Sequence, residues 1–262
     1  MDLGIEGQVA LVTAASKGLG KAAAMALAAE GTKVAICARS ELLEKTAEEI
    51  RSATGAEVLA VRADVTDQAQ VQDLVRQTLD RFGQIDILVI NAGGPPPGDF
   101  LDLTPADWEI GVRATIMSTL YLCYAVIPHM VERGRGCIIC NQSYAVKHPL
   151  ARLITANSLR MAVIGMMKSL ANELGPKGIR VNTVNPAWTW TDRVKQLMTD
   201  RAKANQTTVE AESAAVVQGL PLKRMGTVEE YGKTIAWLAS PAAGFIHGHN
   251  LMFDGGGTAT AL

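Results

Sequence analysis

The sequence has no excess of charge of either sign. Its 25 lysines and arginines stand against 26 aspartates and glutamates, a formal net charge of −1. A chain so balanced lacks the electrostatic footprint of a nucleic-acid-binding protein. Charge is not gathered in blocks either, and the run 41–51 (ELLEKTAEEIR) has the spacing of one solvated helix face. Cysteine is scarce, at four residues. Cys137 and Cys140 form a CxxC, but inside the apolar run 136–141 (GCIICN), which reads as a buried strand. A redox pair needs an exposed thiolate, usually at a helix N-terminus, and zinc would need a second ligand pair. Inert core thiols and no metal are therefore expected. The opening MDLGIEGQVALVT has no basic n-region, and its apolar run is too short for a signal sequence or a membrane span. No membrane association and a cytoplasmic location are the resulting expectations. No Pro/Gly/Ser linker, repeat or low-complexity tract divides the chain, so 1–262 reads as a single domain.

What is present is alternation. Short apolar runs at 8–13, 33–37, 57–61, 86–90, 137–141, 180–185 and 250–253 predict strands. Helical patterns separate them at 18–30, 40–53 (Ser40 as N-cap), 67–82, 104–133, roughly 150–174 and much of 191–240. Strands that do not alternate polar with apolar are covered on both faces. Separated by helices, they predict a doubly wound, mostly parallel Rossmann-type α/β sheet of about seven strands. In such a sheet ligands bind at the carboxyl ends of strands. Three irregular stretches follow strands there or nearby: 93–98 (GGPPPG), 186–190 (PAWTW) and roughly 193–220. The segment 186–222 reads as a substrate-side loop and lid.

The run Thr13-Ala14-Ala15-Ser16-Lys17-Gly18-Leu19-Gly20 turns the first strand into the first helix. Glycines at such a turn let the backbone approach a pyrophosphate, and the helix N-terminus offers free N–H donors to its charge. The plain alternative is an ordinary glycine turn. An NAD-binding unit usually places an acid at the end of the second strand for the ribose 2′-hydroxyl. Arg39 and Ser40 stand there instead, and Lys17 adds a second cation. That combination favours the 2′-phosphate of NADP(H) over NAD(H), unless Arg39 serves only a surface ion pair.

These residues resemble a known family, the classical short-chain dehydrogenases/reductases. Thr13–Gly20 is similar to its TGxxxGxG turn, with Ala14 in place of the first glycine. Asp64-Val65 resembles its adenine-side pair, Asn91-Ala92-Gly93 its NAG, and Val181–Pro186 (VNTVNP) its VNxxxP, with Ala187 where glycine is usual. Asp254-Gly255-Gly256 resembles its C-terminal DGG. The likeness is greatest to the β-ketoacyl-acyl-carrier-protein-reductase-like branch. It implies hydride transfer between a nicotinamide cofactor and a small-molecule carbonyl or alcohol, and a homotetramer or homodimer packed through 115–126 and 156–170. It also implies cofactor contacts from Thr13, Ser16, Lys17, Gly18, Leu19, Gly20, Arg39, Ser40, Asp64, Val65, Asn91, Ala92, Gly93, Pro186, Thr189 and Thr191.

The resemblance breaks at the chemistry. The family's proton donor is a Tyr followed four residues later by a Lys. The run 160–175 (RMAVIGMMKSLANELG) is similar to the family's helix and puts Ala156 and Arg160 at those positions. Ser143 falls on the family's Ser and Thr115 on its Asn. No tyrosine occurs between 145 and 230, so no slip of register restores the pair. Ala156 moves no proton. Arg160 stays charged and can bind the ribose or an oxyanion. Two readings remain: an oxidoreductase whose proton comes from elsewhere, with Lys147 first and His148 second in the loop after Ser143, or a non-catalytic NADP(H)-binding sensor or partner subunit. Solvated loop residues are the plain alternative for Lys147 and His148. Trp188 and Trp190 suggest an apolar substrate wall. His247 and His249 form an HxH without an evident third ligand.

Overall fold

In a computed structural model describing residues 2–260, the apolar runs form one sheet. Its strands are β1 (Val9–Val12), β2 (Lys33–Ala38), β3 (Val58–Arg62), β4 (Ile87–Ile90), β5 (Gly136–Asn141), β6 (Ile179–Pro186) and β7 (Asn250–Phe253). They lie in the order β3-β2-β1-β4-β5-β6-β7, every neighbouring pair parallel. The expected Rossmann-type α/β fold is thus present with seven strands. All residues of β1 and β4 are buried, which is why neither alternates in sequence.

Nine helices are described: α1 (Gly18–Ala29), α2 (Leu42–Thr54), α3 (Gln68–Phe82), α4 (Pro105–Val112), α5 (Ser118–Arg133), α6 (Ile154–Leu174), α7 (Asp192–Asn205), α8 (Val209–Gln218) and α9 (Val228–Ala239). Helices α1, α2 and α9 pack on one face of the sheet, around Leu27, Ile50 and Tyr231. Helices α3, α5 and α6 cover the other, around Leu74, Val126 and Met167. The alanine richness of α1 has a packing reason. A Cβ on Gly232 of α9 would lie 2.4 Å from the Ala22 carbonyl oxygen, so the two helices cross almost backbone to backbone.

Several sequence-based boundaries move. Helix α2 starts at Leu42, and Ser40 does not cap it in the usual way: its Oγ accepts from Leu42 N–H at 3.2 Å. Helix α6 starts at Ile154 because 147–153 is held as a separate loop. The stretch 193–220, expected to be irregular, is mostly α7 and α8. Thr191 and Thr208 cap them through Oγ1 acceptors for Val194 and Ala211 N–H.

The stretch 105–133 is long and apolar enough by composition to cross a membrane. Here it runs as α4, a π turn at Arg113–Met117 and α5, with Leu122, Val126 and Met130 fully buried against the sheet.

All four cysteines are free and buried. Burial pushes the Cys137 and Cys140 thiols up to about 11, which makes them inert core groups. His247 is structural: its Nδ1 accepts from Val181 N–H at 3.2 Å and its Nε2 lies 2.7 Å from the Ala171 carbonyl oxygen.

Candidate active site

The strand order reverses between β1 and β4, and there the carboxyl ends of the sheet open a crevice. Asn91, at the end of β4, organises it. Its N–H donates to Thr13 Oγ1 at 2.9 Å, and Thr13 Oγ1 donates back to the Asn91 carbonyl at 2.7 Å. Its Nδ2 donates to the Ala14 carbonyl at 3.3 Å, and its Oδ1 accepts from Asn141 Nδ2 at 2.8 Å. One side chain thereby ties together the ends of β1, β4 and β5.

The glycine turn is built against this residue. Gly20 is buried, and a Cβ there would meet the Ala14 oxygen at 2.5 Å and Asn91 Nδ2 at 2.8 Å. Gly18 takes φ +58°, and Ala14 takes φ 48° in the left-handed region. Lys17 precedes α1, exposed and outside every ion pair among the described residues. Ser16 and Val65 are buried, and Leu19 packs half-buried against the core.

At the carboxyl end of β2, exposed Arg39 lies 3.4 Å from Asp64. The ion pair weighed as the alternative is therefore present, though long and single. Burial alone would raise the Asp64 carboxyl. Hydrogen bonds from Thr66 N–H and O–H, with the Arg39 cation, outweigh it and hold the group below the usual range. Arg62, which the sequence did not single out, donates to the Arg39 carbonyl at 3.3 Å and pairs with Glu41. Two cations, Arg39 and Arg62, thus border this corner, and Lys17 stands at the glycine turn.

The loop 93–98 is fixed to the start of α6. Gly98 N–H donates to the Arg152 carbonyl at 2.7 Å, and Thr155 Oγ1 to the Pro96 carbonyl at 2.6 Å. Ala92 is half-buried and Gly93 exposed beside it. Ala156 is buried in the first turn of α6. One turn on, the half-buried Arg160 donates to Gln142 Oε1 at 3.3 Å, and a Cβ on Gly94 would lie 3.9 Å from its Nη2. No carboxylate among the described residues lies within ion-pair distance, and burial holds the guanidinium below its ordinary range. Gln142 is buried and sits next to Ser143, a link that no local sequence signal revealed.

Among the described residues five buried hydroxyls have no partner, and two of them, Thr115 and Thr189, belong to residues the sequence places at the site. Thr115 Oγ1 sits in the π turn, 4% exposed, and Thr189 Oγ1 is 2% exposed. Buried hydroxyls normally find a partner, and π turns recur at functional sites. Thr191 behaves otherwise: its oxygen caps α7, while its Cγ2 would lie 3.8 Å from a Cβ on Gly18. Pro186 is buried at the end of β6.

Ser143 Oγ accepts from Ala145 N–H at 3.2 Å and opens a 3₁₀ turn at Tyr144–Val146. The loop is less solvated than expected. Tyr144 is buried, Lys147 is half-buried with no ion pair among the described residues, and His148 is exposed, stacked on Tyr144 with ring centroids 6.1 Å apart. Asn157 of α6 clamps the loop, bonding both the N–H and the carbonyl of Leu150. Trp188 lines a cavity of about 370 Å³ with Leu220, Leu222 and Phe253. That wall is not purely apolar, because Arg224, Glu230, Lys233 and Asp254 also line it; the Arg201 guanidinium lies 5.1 Å over the Trp188 ring. Trp190 is 39% exposed.

A glycine turn at the switch point of a parallel sheet, with the orphaned Thr189 hydroxyl after β6 and the orphaned Thr115 hydroxyl in the π turn, defines a dinucleotide-binding α/β protein. The family profile described as enoyl-(acyl carrier protein) reductase matches residues 13–258. The 3-oxoacyl-[acyl-carrier-protein] reductase of Synechocystis is 36% identical, covering 95% of this chain and 96% of that one. L-sorbose reductase from Gluconobacter frateurii, solved with NADPH and L-sorbose, superposes with a TM-score of 0.95 at 30% identity, over 99% of this chain and 100% of that one. YwfH, an NADPH-dependent reductase involved in bacilysin biosynthesis, gives 0.92 at 28% identity, over 97% and 100%. The chain belongs to the short-chain dehydrogenase/reductase family of NAD(P)-dependent oxidoreductases.

The strained Ala14 gives a direct test of the turn. A left-handed alanine costs about 1–2 kcal/mol, and the greater unfolded-state freedom of glycine offsets about 0.5–1 of that. Ala14→Gly is expected to raise Tm by about 1–3 °C, measured by calorimetry. A fall in Tm would show that Ala14 is not strained.

Proposed function

We propose that this chain is an NADP(H)-dependent oxidoreductase acting on a ketone, a 3-oxoacyl group or the corresponding secondary alcohol, with a proton donor other than the family's tyrosine. The observation that carries the reading is the crevice itself. Arg160 on α6, Thr115 in the π turn and Thr189 after β6 are polar groups whose hydrogen-bonding capacity the chain leaves largely unused. The Gly18 and Gly20 turn fits a pyrophosphate, and the hydroxyl of Thr189 fits the carboxamide of a nicotinamide. When bound, that cofactor supplies or accepts the hydride.

The preference for NADP(H) rests on Lys17 at the glycine turn and on Arg39 and Ser40, now joined by Arg62, around the end of β2. The related reductases solved with NADPH are consistent with it. Asp64, Val65, Asn91, Ala92, Gly93, Pro186 and Thr191 line the remainder of the cofactor site in this reading.

The chain's own residues divide the chemistry. Ser143 Oγ hydrogen-bonds the substrate oxygen. Arg160 steadies negative charge developing on that oxygen and holds ribose hydroxyls. Ala156 contributes no proton, and Thr115 Oγ1 positions a water where the family uses Asn. The Lys147 ammonium, half-buried and carrying no ion pair among the described residues, gives its proton to the substrate oxygen during reduction, with His148 as the second candidate. The second reading, a non-catalytic NADP(H)-binding sensor or partner subunit, is favoured by Ala156 alone.

Exposed apolar side chains on α4, α5 and α6 (Ile110 at 56%, Tyr124 at 76% and Met161 at 49%) suit self-association through the long helices. A homotetramer or homodimer is expected by light scattering, and a monomer at micromolar concentration would refute it.

Arg39→Ala is expected to weaken NADPH binding about tenfold, about 1.4 kcal/mol, with NADH binding unchanged. Equal loss for both would remove the 2′-phosphate role. Lys147→Ala or His148→Ala should lower turnover more than about tenfold, within the range for general acid–base catalysis, with NADPH affinity unchanged. If neither does, the proton comes from elsewhere.

A further inference from the structure

Arg201 stands apart among the arginines. Five arginines are half-buried: Arg51, Arg133, Arg160, Arg180 and Arg201. Arg51 and Arg133 bond carboxylates, Arg180 bonds a ring of backbone carbonyls, and Arg160 bonds an amide oxygen. Among the described residues, Arg201 bonds no acceptor. Its guanidinium instead lies over the Trp188 ring at 5.1 Å. A ring face attracts a cation but does not neutralise it, and a half-dehydrated guanidinium with no directly bonded anion is a costly arrangement.

The surroundings point the same way. Tyr144 is buried beside this pair, next in the chain to Ser143. Burial pushes its phenol up, while Arg201 and the Trp188 side chain pull it partly back, so all three share one environment. Two acids lie in the same region, Glu212 and Asp254, but neither forms an ion pair with Arg201, and both spend their oxygens on neutral donors. Glu212 Oε1 accepts from Asn205 and Thr207, and the Asp254 carboxylate accepts from Gly256 and Thr258 N–H. Helix α7 carries Arg201 away from the glycine turn. It starts with Thr191 beside Gly18 of the phosphate turn, and ten residues on, at about 1.5 Å each, the chain has travelled about 15 Å along the helix.

We propose that the substrate carries a carboxylate remote from its reacting carbonyl, and that Arg201, backed by Trp188 and lying beside Tyr144, receives it. A planar guanidinium fork matches a carboxylate in two parallel hydrogen bonds. The carbonyl then lies toward Ser143, with the carbon chain between. This rests on the reading of the crevice as an oxidoreductase site, and it makes Arg201 a specificity-determining residue.

The test compares oxo acids with their own esters. 4-Oxopentanoate and 5-oxohexanoate, and the methyl ester of each, are offered with NADPH. The acids should exceed their esters about tenfold or more in kcat/KM. Arg201→Gln should erase that preference by raising KM for the acids while kcat and ester turnover stay within about twofold. Arg201→Lys should restore part of it. Unchanged NADPH affinity shows that each variant is folded. Equal kcat/KM for acid and ester in the native protein, or equal losses for both in Arg201→Gln, overturns the proposal. Binding provides a readout independent of catalysis. The acids, but not the esters, should quench tryptophan fluorescence of the NADPH complex at millimolar concentration, and Arg201→Gln or Trp188→Phe should abolish the change. Quenching without turnover keeps the carboxylate site and removes the oxidoreductase reading. Turnover without acid preference keeps that reading and removes the carboxylate site. Neither quenching nor turnover removes both.

Discussion

The crevice depends on the side chain of Asn91. Parallel strands end in carbonyl and N–H groups that the ladder no longer satisfies, and three such ends meet where the strand order reverses. Asn91 satisfies them with one amide: Nδ2 to Ala14, Oδ1 from Asn141, and its backbone paired with the Thr13 hydroxyl. The consequences propagate outward. Nδ2 and the Ala14 oxygen leave no room for a Cβ at Gly20, so the backbone of the turn stays open to a ligand. Asn141 is held two residues before Ser143, which fixes the end of β5. Gln142 between them then faces Arg160. A buried amide network is worth most when each member is satisfied, and here Asn141 Oδ1, like the hydroxyls of Thr115 and Thr189, is buried without a protein partner.

Replacing a Lys-type position by arginine changes what the site can do. An ammonium is a compact point charge that titrates when buried, whereas a guanidinium keeps its charge and spreads it over a rigid fork. Arg160 therefore holds and stabilises charge without trading protons. In the proposed reading, proton supply passes to groups that can exchange with solvent, and the loop at 143–148 offers them on a rigid support, since Ser143 caps its turn and Asn157 clamps Leu150. Binding, charge stabilisation and proton supply then sit on separate elements.

Much of this was legible in the sequence because it is local. Non-alternating strands, the glycine turn and the segments after β4 and β6 are written in contiguous residues, and all seven strands fall where the apolar runs lie. Helices α7 and α8 were harder to read for a physical reason. Helix α7 buries only Met198 and Ala202, and α8 buries nothing, so neither carries the apolar stripe that reveals a helix. The site's partnerships are non-local. Gln142 meets Arg160 across 18 positions, Thr155 reaches Pro96, and Arg201 crosses to Trp188 and Tyr144. No spacing rule links these residues before the chain is folded. The Arg39–Asp64 pair shows a subtler limit: sequence placed a cation at the end of β2 but not the acid it would face.

The central claim is that this crevice moves a hydride although Ala156 stands where the family has its phenol. Label transfer tests it most directly. NADPH carrying deuterium at the transferable C4 position is incubated with the protein and a panel of carbonyls, and the alcohols are examined by mass spectrometry. The account predicts one deuterium on the carbinol carbon of at least one product, formed only in the presence of the protein. A cofactor that binds, as read by its fluorescence, yet leaves every carbonyl unlabelled would contradict it.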